Sequence, residues 1–376
     1  MRDLLLGRMS YDLDVVVEGD APAVARAAAG EDETPPVIHT AFGTATIGLG
    51  IYHIDLATAR SESYERPGAL PTVRPGTIQD DLVRRDFTVN AMALTLDDLR
   101  RGQLLDLHGG RSDLEHGLLR VLHESSFTDD ATRILRGVRY EQRFGFVFER
   151  KTLDLLNRDI RSLECISADR VRHEFERTFA EDEPEQALSR LDTLGVLATI
   201  HPSLHFGADK AEALMRARRG LPSAPQLETI CWCLLGWGMT AGEAEDLATR
   251  LNMPRRAFDP LADVVSLSAM EMQIDSPDRS PSEVFDLLHG YSQASLLTAE
   301  LLFMRPVARE NVSRYLRRLR YVRPTLTGSD LQSLGIPEGP ILGRILSALR
   351  AARLNGEVAS RSDEESLALR LFKESS

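Results

Sequence analysis

The chain has 376 residues, of which 43% are hydrophobic and 27% charged, and its formal net charge is −12. This length predicts about two to four domains, and no apolar run approaches the roughly 20 residues that cross a bilayer. The acidic balance argues against a protein that coats nucleic acid through bulk charge, although it is compatible with local basic stripes. With no N-terminal targeting signal in the sequence, we expect a cytoplasmic protein.

The three cysteines form no pattern that predicts a disulfide framework or a zinc site. Cys231 and Cys233 flank a tryptophan in the apolar stretch ETICWCLLGW, far from Cys165. A buried helix explains this stretch better than a pair of metal ligands. We therefore expect no metal–thiolate chemistry.

The first hundred or so residues have the pattern of an α/β region. In chain order we predict a strand at YDLDVVVE, a helix at APAVARAAAG, and strands around PVIHT, TATIGLG and YHIDLATA. From about Ser126 onward apolar residues recur at i, i+3 and i+4, which indicates helices. The segments with this pattern are ATRILRGVRYEQRFGF, SADRVRHEFERTFA, PEQALSRLDTLGVLATI, PQLETICWCLLGW, RENVSRYLRRLRYV and GPILGRILSALRAARL. The sequence therefore predicts a small α/β head followed by a long all-helical part.

Two aspartates lie close together on the first predicted strand. Asp12 and Asp14 are at i and i+2, which puts both carboxylates on one face while Leu13 points the other way into the core. Such carboxylates repel each other unless cations lie between them, and a pair of Mg²⁺ ions held in this way suits phosphoryl transfer. Asp55 in IYHIDLATAR could add a third carboxylate from a neighbouring strand. The ordinary alternative for an isolated DxD pair is a solvated strand end.

The segment DLVRRDFTVNAMAL places charged and polar side chains beside helix-forming apolar ones. These side chains are Arg84, Arg85, Asp86 and Asn90. Because burying an unpaired charge is costly, they need partners, and a triphosphate would supply them.

A second charged segment is SSFTDDATRILRGVRYEQRFGF, in which Ser126 or Thr128 can cap a helix whose first turn holds Asp129 and Asp130. Arginines recur every three residues, at Arg133, Arg136 and Arg139. The predicted buried stripe of the same helix consists of Ile134, Leu135, Val138 and Phe144. The helix therefore presents one acid and a row of arginines on a single side. One interpretation is a solvated face on which Asp130 and Arg133 form a weak pair.

A second interpretation of this helix uses hydrogen-bond complementarity. Cytosine and adenine both show an amino donor next to a ring-nitrogen acceptor, so an aspartate and an arginine side by side fit both bases. Guanine and uracil present the reverse pattern and are rejected by unpaired donors and clashing acceptors. Asp130 and Arg133 could therefore select C and A without a nucleic-acid template.

Five motifs in this order resemble those of a known family: RDLLLG…DLDVVVEGDA, FGTA, IDLATAR, RRDFTVNAMA and DDATRILRGVRYEQRFGF. They are similar to the motifs of the class II tRNA nucleotidyltransferases, which are the bacterial CCA-adding enzymes and their poly(A) polymerase relatives. The likeness covers roughly residues 1–200, with a weaker one at LTGSDLQSLGIPEGPILGRILSALRAARLNGEV. It implies an α+β fold with a polymerase-beta-like nucleotidyltransferase head and an all-helical remainder. The implied boundaries are head 1–122, neck 123–190, body 191–272 and tail 273–376.

The resemblance also implies roles for individual residues by motif position. Asp12 and Asp14 would hold Mg²⁺, and Asp55 would complete the catalytic set. The residues that bind the incoming CTP or ATP would be Arg2, Arg85, Asp130, Arg133, Arg136 and Arg139. The first acid of the neck motif is usually Glu in this family and is Asp129 here, which leaves the base-reading position unaffected.

Between the carboxylates and RRDFT lies the Pro- and Gly-rich stretch SESYERPGALPTVRPGTIQDD, which has no clear periodicity. One interpretation is a surface loop. The resemblance suggests a flexible element that helps the site switch from C to A, since loss of such an element in the family accompanies addition of C alone. Its presence favours A-competent chemistry.

The segment RPVARENVSRYLRRLRYVRP has the strongest local positive charge, with Tyr315 and Tyr321 between the arginines. It lies where the resemblance places a body or tail that holds the tRNA elbow, and we assign RNA binding to Arg314, Arg317 and Arg318. A solvated helix face is the alternative for each arginine. Downstream, Gly339 and Pro340 precede a helix whose N-terminal amides could hold a phosphate, or they only mark its start.

The sequence thus predicts template-independent addition of CCA to tRNA 3′ ends from CTP and ATP, with Mg²⁺. A poly(A) polymerase, an A-only enzyme or a CC-only enzyme is the alternative within the class. The alternative outside it is an inactive RNA-binding protein, because the family has a strand ending in two glycines just before the position of Met1. Without that strand we expect DLDVVV to lack a neighbour and incorporation to be poor while tRNA binding survives. We expect the written start to be internal to the reading frame, and the other retained motifs favour an enzyme.

Overall fold

In the computed structural model, which describes residues 1–9, 12–29, 35–40, 43–49, 51–66, 68–69, 71–220 and 224–375, the chain divides between Pro202 and Ser203. The first unit contains the predicted head and a group of helices. Its strands are β1 (Asp12–Val17), β2 (Val37–His39), β3 (Thr44–Leu49), β4 (Tyr52–Thr58), β5 (Arg60–Ser63), β6 (Thr72–Pro75), β7 (Met92–Leu94), β8 (Leu104–Asp106), β9 (Leu118–Leu119) and β10 (Val147–Phe148). Its helices are α1 (Arg2–Leu5), α2 (Ala21–Ala28), α3 (Ile78–Val83), α4 (Gly110–Glu115), α5 (Ser126–Asp129), α6 (Thr132–Phe144), α7 (Arg150–Asp159), α8 (Ala168–Phe179), α9 (Pro184–Thr193) and α10 (Val196–Ile200).

The head is built on a four-stranded sheet in the order β1-β4-β3-β2. The five elements predicted for this region, four strands and one helix, are confirmed. β1 pairs in parallel with β4, so the expectation that DLDVVV would lack a neighbour is wrong. Helix α2 lies in the connection between these two strands, which is long enough for the crossover that a parallel pair needs.

The core of the head lies between this sheet and α2. Ala21 and Ala25 of the helix are buried with Ala45 and Leu56 of the sheet, and Val15 packs against them. Leu13 has the same strand parity as Val15 but is 43% exposed, so its predicted burial is wrong. It lies near the start of an edge strand, before the valines that this cluster covers.

The Pro- and Gly-rich stretch after β4 forms a hairpin rather than only a loop. β5 and β6 pair antiparallel, with Ser63 opposite Thr72. Gly68, between the strands, has a φ of +74°, and a Cβ there would lie 2.6 Å from the carbonyl oxygen of Cys165. Glycine is therefore required at this position by both backbone angle and space. α3 then begins with a capping box formed by Thr77 and Asp80.

The helix predicted from Ser126 onward is divided in two. α5 ends at Asp129, and Asp130 has extended backbone angles, with φ −142° and ψ 96°. The Asp130 carboxylate accepts a hydrogen bond from the amide of Thr132, so it precedes α6 and is not in its first turn. The predicted helix over 184–200 is likewise divided, by Gly195 at a φ of +73°.

The second unit is helical throughout its described residues. Its helices are α11 (Ala208–Gly220), α12 (Ala224–Gly236), α13 (Ala241–Leu251), α14 (Arg255–Ala269), α15 (Glu271–Ile274), α16 (Pro281–Leu288), α17 (Gln293–Leu302), α18 (Pro306–Arg317), α19 (Gly328–Ser333), α20 (Pro340–Asn355) and α21 (Arg361–Ser375). Cys231 and Cys233 are buried in α12, as predicted. α20 begins at Pro340 after Gly339, which confirms the predicted helix start. None of the described helices combines the length and apolarity required of a membrane span.

The four-part division remains a prediction. One core cluster of the second unit joins Leu267 of α14 to Leu319, across the predicted boundary at 272/273. A second cluster joins Leu326 to Ala368 of α21. The segment predicted as a tail therefore contributes to two separate cores.

Candidate active site

Two carboxylates lie side by side on adjacent strands of the head sheet. In the parallel pairing of β1 and β4, Asp14 lies opposite Asp55, and adjacent strands are about 4.8 Å apart. Both residues are exposed. The hydroxyl of Thr46 on β3 donates a 2.6 Å hydrogen bond to Asp55 Oδ1, which leaves Oδ2 for other ligands. The side chain of Asp12 lies outside the described residues, but its backbone pairs with His53, two positions before Asp55 on the same face.

This arrangement of oxygen donors fits a divalent cation. Mg²⁺ prefers one or two carboxylates together with waters and phosphate oxygens, and two exposed aspartates on adjacent strands supply such a set. Among the described side chains no group of three or more His, Cys, Asp or Glu residues could hold a metal. The set of three carboxylates expected from the sequence includes Asp12, whose side chain lies outside the described ones.

The two arginines of the RRDFTVN segment pair with carboxylates of neighbouring elements. Asp81 of α3 is fully buried and accepts hydrogen bonds from Arg84 at 2.6 Å and from Arg85 at 3.1 Å. Arg84 also donates to Glu62 at 3.1 Å. The Nε atom of Arg85 is buried and has no hydrogen-bond partner among the described residues. Each guanidinium nitrogen of Arg84 has a partner, whereas Arg85 has a nitrogen without one among the described residues.

A series of hydrogen bonds links Arg2, near the N-terminus, to α6. Arg2 donates to Asn90 Oδ1 at 2.7 Å, and Asn90 donates to Asp86 Oδ1 at 2.8 Å. Arg136 donates to Asp86 Oδ2 through Nη2 at 2.6 Å. Burial raises the pKa of Asp86, but Arg136 and the donated hydrogen bonds outweigh it and hold that pKa below its usual value. The same pairing raises the pKa of Arg136 against the opposing effect of burial.

The other two arginines of the predicted row, Arg133 and Arg139, are buried in protein contacts. Arg133 donates to Ser126 Oγ and to the carbonyl of Arg84, both at 2.7 Å. Arg139 contacts Glu174 at 3.3 Å. The predicted row of three is therefore not a solvated face, and only Arg136, with 30% of its side chain exposed, reaches the surface appreciably.

Asp130 does not pair with Arg133. Its Oδ1 atom accepts a 2.7 Å hydrogen bond from Arg170 of α8 in addition to those from Thr132. Arg170 lies forty positions away in the sequence, within a helix whose pattern indicates only amphipathic packing. Sequence reasoning missed this partner, and no local signal could have identified it.

The predicted RNA-binding arginines lie at the end of α18 in the second unit. Arg317 has 77% of its side chain exposed and contacts Glu300 at 3.3 Å. Arg318 is exposed and Arg314 is half-buried. Nearby, the guanidinium of Arg320 lies 5.3 Å from the ring centre of Tyr321, which is largely exposed. An accessible aromatic ring with an arginine beside it therefore follows closely in the sequence after these three residues.

Two family models match the first unit. The poly(A) polymerase head domain matches residues 1–120, and the probable RNA- and SrmB-binding site of polymerase A matches residues 145–206. The chain is also similar to solved structures of CCA-adding enzymes. These are an apo form (TM-score 0.84, 29% identity, 98% of this chain and 89% of that one), a complex with ATP (0.83, 28%, 100% and 89%) and the Thermotoga maritima enzyme complexed with tRNA (0.78, 28%, 98% and 88%).

Similar curated proteins cover nearly the whole chain. An A-adding tRNA nucleotidyltransferase of Geobacter sulfurreducens is 34% identical across 99% of this chain, which spans 44% of the length of that protein. An A-adding enzyme of Halalkalibacterium halodurans and a CC-adding enzyme of Deinococcus radiodurans are each 33% identical across 99% of this chain and 87% of their own length. These matches agree with the motif order and with the fold of the head. The chain therefore belongs to the tRNA nucleotidyltransferase family.

Proposed function

We propose that this protein completes the CCA end of tRNA, adding C and A from CTP and ATP without a nucleic-acid template. The observation that supports this most directly is the exposed pair Asp14 and Asp55 on adjacent strands of the head. Asp12, Asp14 and Asp55 would hold divalent cations, for which Mg²⁺ is our proposal. When bound, such ions lower the pKa of the attacking 3′-hydroxyl and neutralise charge on the triphosphate.

The protein's own groups bind and orient the nucleotide. The Arg85 side chain is 29% exposed, its Nε has no partner in the described structure, and its guanidinium would suit a phosphate oxygen. Arg2, which is anchored on Asn90, would add positive charge near the same place. Asp130 and Arg133 would read the base. Arg136 and Arg139 would hold α6 in position through their carboxylate partners.

The tRNA would contact the second unit through Arg314, Arg317 and Arg318. The complex of the similar Thermotoga maritima enzyme with tRNA supports this kind of partner. Exposed arginines bind phosphates without reading sequence, which suits an enzyme that accepts many tRNAs.

The decisive experiment supplies each nucleotide separately to tRNAs that lack one, two or three terminal residues. CCA addition predicts CTP incorporation on the two shorter substrates and ATP incorporation on tRNA ending in CC. A narrower candidate, addition of the terminal A alone, is favoured by the names of two relatives that cover 99% of the chain. It predicts no CTP incorporation on any substrate.

The same assay tests the remaining alternatives. Extension of unrelated RNA 3′ ends by ATP alone would contradict the CCA assignment and favour a poly(A) polymerase. Binding of tRNA without incorporation of any nucleotide would favour the inactive RNA-binding protein. Incorporation of nucleotides at a rate typical of enzymes would exclude the inactive RNA-binding protein.

The proposed element for switching from C to A is the stretch 61–81, which contains the loop between β5 and β6. Replacing residues 64–71 with Asn-Gly would join Ser63 to its strand partner Thr72 through a two-residue turn and keep both strands. We expect this variant to retain CTP addition and to lose ATP addition to tRNA ending in CC. Equal loss of both activities would contradict a specific role in the switch.

A further inference from the structure

Three helices of the second unit meet around a small group of aromatic rings. α16 packs against both α18 and α20. The Phe285 ring on α16 is stacked on His289, with 4.7 Å between the ring centres, and its centre lies 5.7 Å from that of Tyr315 on α18. The guanidinium of Arg350 on α20 lies 5.2 Å from the centre of the Phe285 ring. Side chains from all three helices therefore converge at this junction.

The hydroxyl of Tyr315 lies among positive charges. Only 5% of this residue is exposed, and its hydroxyl oxygen is 3.5 Å from His289 Nδ1, at the outer limit of a hydrogen bond. Burial raises the pKa of Tyr315, and three positive charges partly oppose that rise. The charges belong to Arg320, Arg323 and Arg350, which are therefore close enough to interact with the hydroxyl. We call Tyr315 and these three arginines the junction cluster.

The arginines of the junction cluster form no ion pair with the carboxylates of the described residues. Arg323 donates only to the backbone carbonyls of Arg320 and Val322, at 3.2 and 3.5 Å. The guanidinium of Arg320 lies over the ring of Tyr321, and the buried Nε of Arg350 has no hydrogen-bond partner in the described structure. The whole chain has 57 acidic residues against 45 basic ones, so arginines could readily have found acidic partners. Three arginines without such partners at one junction therefore suit an anionic ligand.

A phosphate group matches the chemistry of these side chains. Guanidiniums donate paired hydrogen bonds to phosphate oxygens, and a tyrosine hydroxyl can donate one more. We propose that the junction cluster is a binding site for one compact phosphate group. Free inorganic phosphate and a single phosphate of bound RNA share this chemistry, and the experiment below distinguishes them. The site uses none of the arginines proposed above as tRNA contacts, and it does not depend on the proposed addition of CCA.

The test titrates inorganic phosphate into the full-length protein at constant ionic strength, with calorimetric detection. Arg323→Gln is the first variant, because Arg323 is exposed and its guanidinium contacts only backbone carbonyls. Loss of one charge-assisted hydrogen bond should raise the Kd for phosphate about tenfold, and Arg320→Gln should have the same effect. Tyr315→Phe keeps the ring against Phe285 and removes only the hydroxyl, so it should raise the Kd about fivefold.

Two further variants locate the bound phosphate. Arg309→Gln is the matched control, because Arg309 is exposed on the same helix, roughly 12 Å before its end. Its Kd for phosphate should equal that of the original protein. Arg85→Gln changes the candidate phosphate-binding arginine of the head. Loss of phosphate binding in Arg85→Gln alone would overturn the proposal, since the titrated ion would then bind in the head.

Measurements of tRNA binding distinguish the two sources of phosphate. If the phosphate belongs to tRNA, Arg323→Gln should reduce the slope of log K against log salt by about 1, and excess tRNA should abolish binding of inorganic phosphate. If the ligand is free phosphate, the affinity for tRNA should be the same in Arg323→Gln and in the original protein. Either result supports a phosphate site at the junction cluster.

Two outcomes of these titrations would contradict the proposal. One is an equal Kd for phosphate in the original protein, Arg320→Gln and Arg323→Gln. The other is weaker tRNA binding by the arginine variants when the original protein binds no inorganic phosphate, which would indicate an extended RNA-binding surface instead of a compact site. Failure of nucleotide addition would contradict the proposed function and leave the phosphate titrations interpretable.

Discussion

Asp14 is the described residue on which the proposed chemistry depends most. Its carboxylate is exposed opposite Asp55, and an amide in its place would keep the shape but remove the charge that holds a cation. We expect Asp14→Asn to lower kcat by roughly 10³-fold, because metal-assisted charge stabilisation contributes several kcal/mol. Single-turnover incorporation measures the loss, and filter binding should give an unchanged Kd for tRNA. Asp98→Asn, at an exposed site in the β7–β8 hairpin, is the control.

Asp86 has a structural effect that depends on pH. Its pKa is lowered in the folded protein, so its contribution to stability is complete above the unfolded value of about 3.9 and is lost as the pH falls through the folded value. Asp86→Asn leaves Arg136 without its main partner and should cost about 3 kcal/mol of unfolding free energy at pH 7. Urea unfolding measures the difference in stability between Asp86→Asn and the original protein at pH 7. Thermal unfolding measures the difference in stability between the same two proteins below pH 4. An undiminished difference at the lowest pH would contradict the assigned cause.

At the scale of elements, α4 and the RRDFTVN segment are in unusually close contact. A Cβ on Gly110, the first residue of α4, would lie 2.1 Å from the carbonyl oxygen of Thr88. We expect Gly110→Ala to lower the unfolding free energy by about 1–3 kcal/mol, since the backbone must move to relieve the overlap. Gly48→Ala on β3 is the matched control, because nothing lies within 4 Å of its added methyl group. Equal melting temperatures for the two variants would contradict this explanation.

The elements with strong periodicity were predictable, and those fixed by distant contacts were not. β1 and α6 follow from alternation and from helical spacing, which are local properties of the sequence. The hairpin formed by β5 and β6 has no such pattern, because its register depends on cross-strand pairing around an eight-residue loop. Asp130 interrupts a helix because it caps Thr132 and binds Arg170, and sequence spacing shows neither contact.

In the candidate site, too, features set by local pattern were predictable and features set by distant contacts were not. The positions of Asp14 and Asp55 on one face follow from strand parity and from the pairing of neighbouring strands. The burial of Arg133 and Arg139 does not, because Ser126 and Glu174 become their partners only when α5 and α8 pack against α6. The spacing of the arginines by three residues is therefore compatible with a helix but does not predict which of them reach solvent.

For the whole molecule, we propose that RNA binding depends on the exposed arginines at the end of α18, because the net charge of the protein is acidic. We expect the double change Arg317→Gln and Arg318→Gln to weaken tRNA binding roughly tenfold and to reduce the slope of log K against log salt by about 2. KM for ATP at saturating tRNA should not change. Arg100→Gln with Arg101→Gln removes two similarly exposed arginines from the head and should leave the salt dependence nearly unchanged.

The close approach of Gly68 to Cys165 makes one thiol a natural reporter of the β5–β6 loop. Cys165 is exposed, whereas Cys231 and Cys233 are buried, and burial raises the pKa of Cys233 to about 12. Alkylation in the native state should therefore modify one position, next to the loop proposed to switch the site from C to A. The rate of Cys165 alkylation can be measured with CTP bound and then with ATP bound. A difference between the two rates would show that the loop changes position between the two additions.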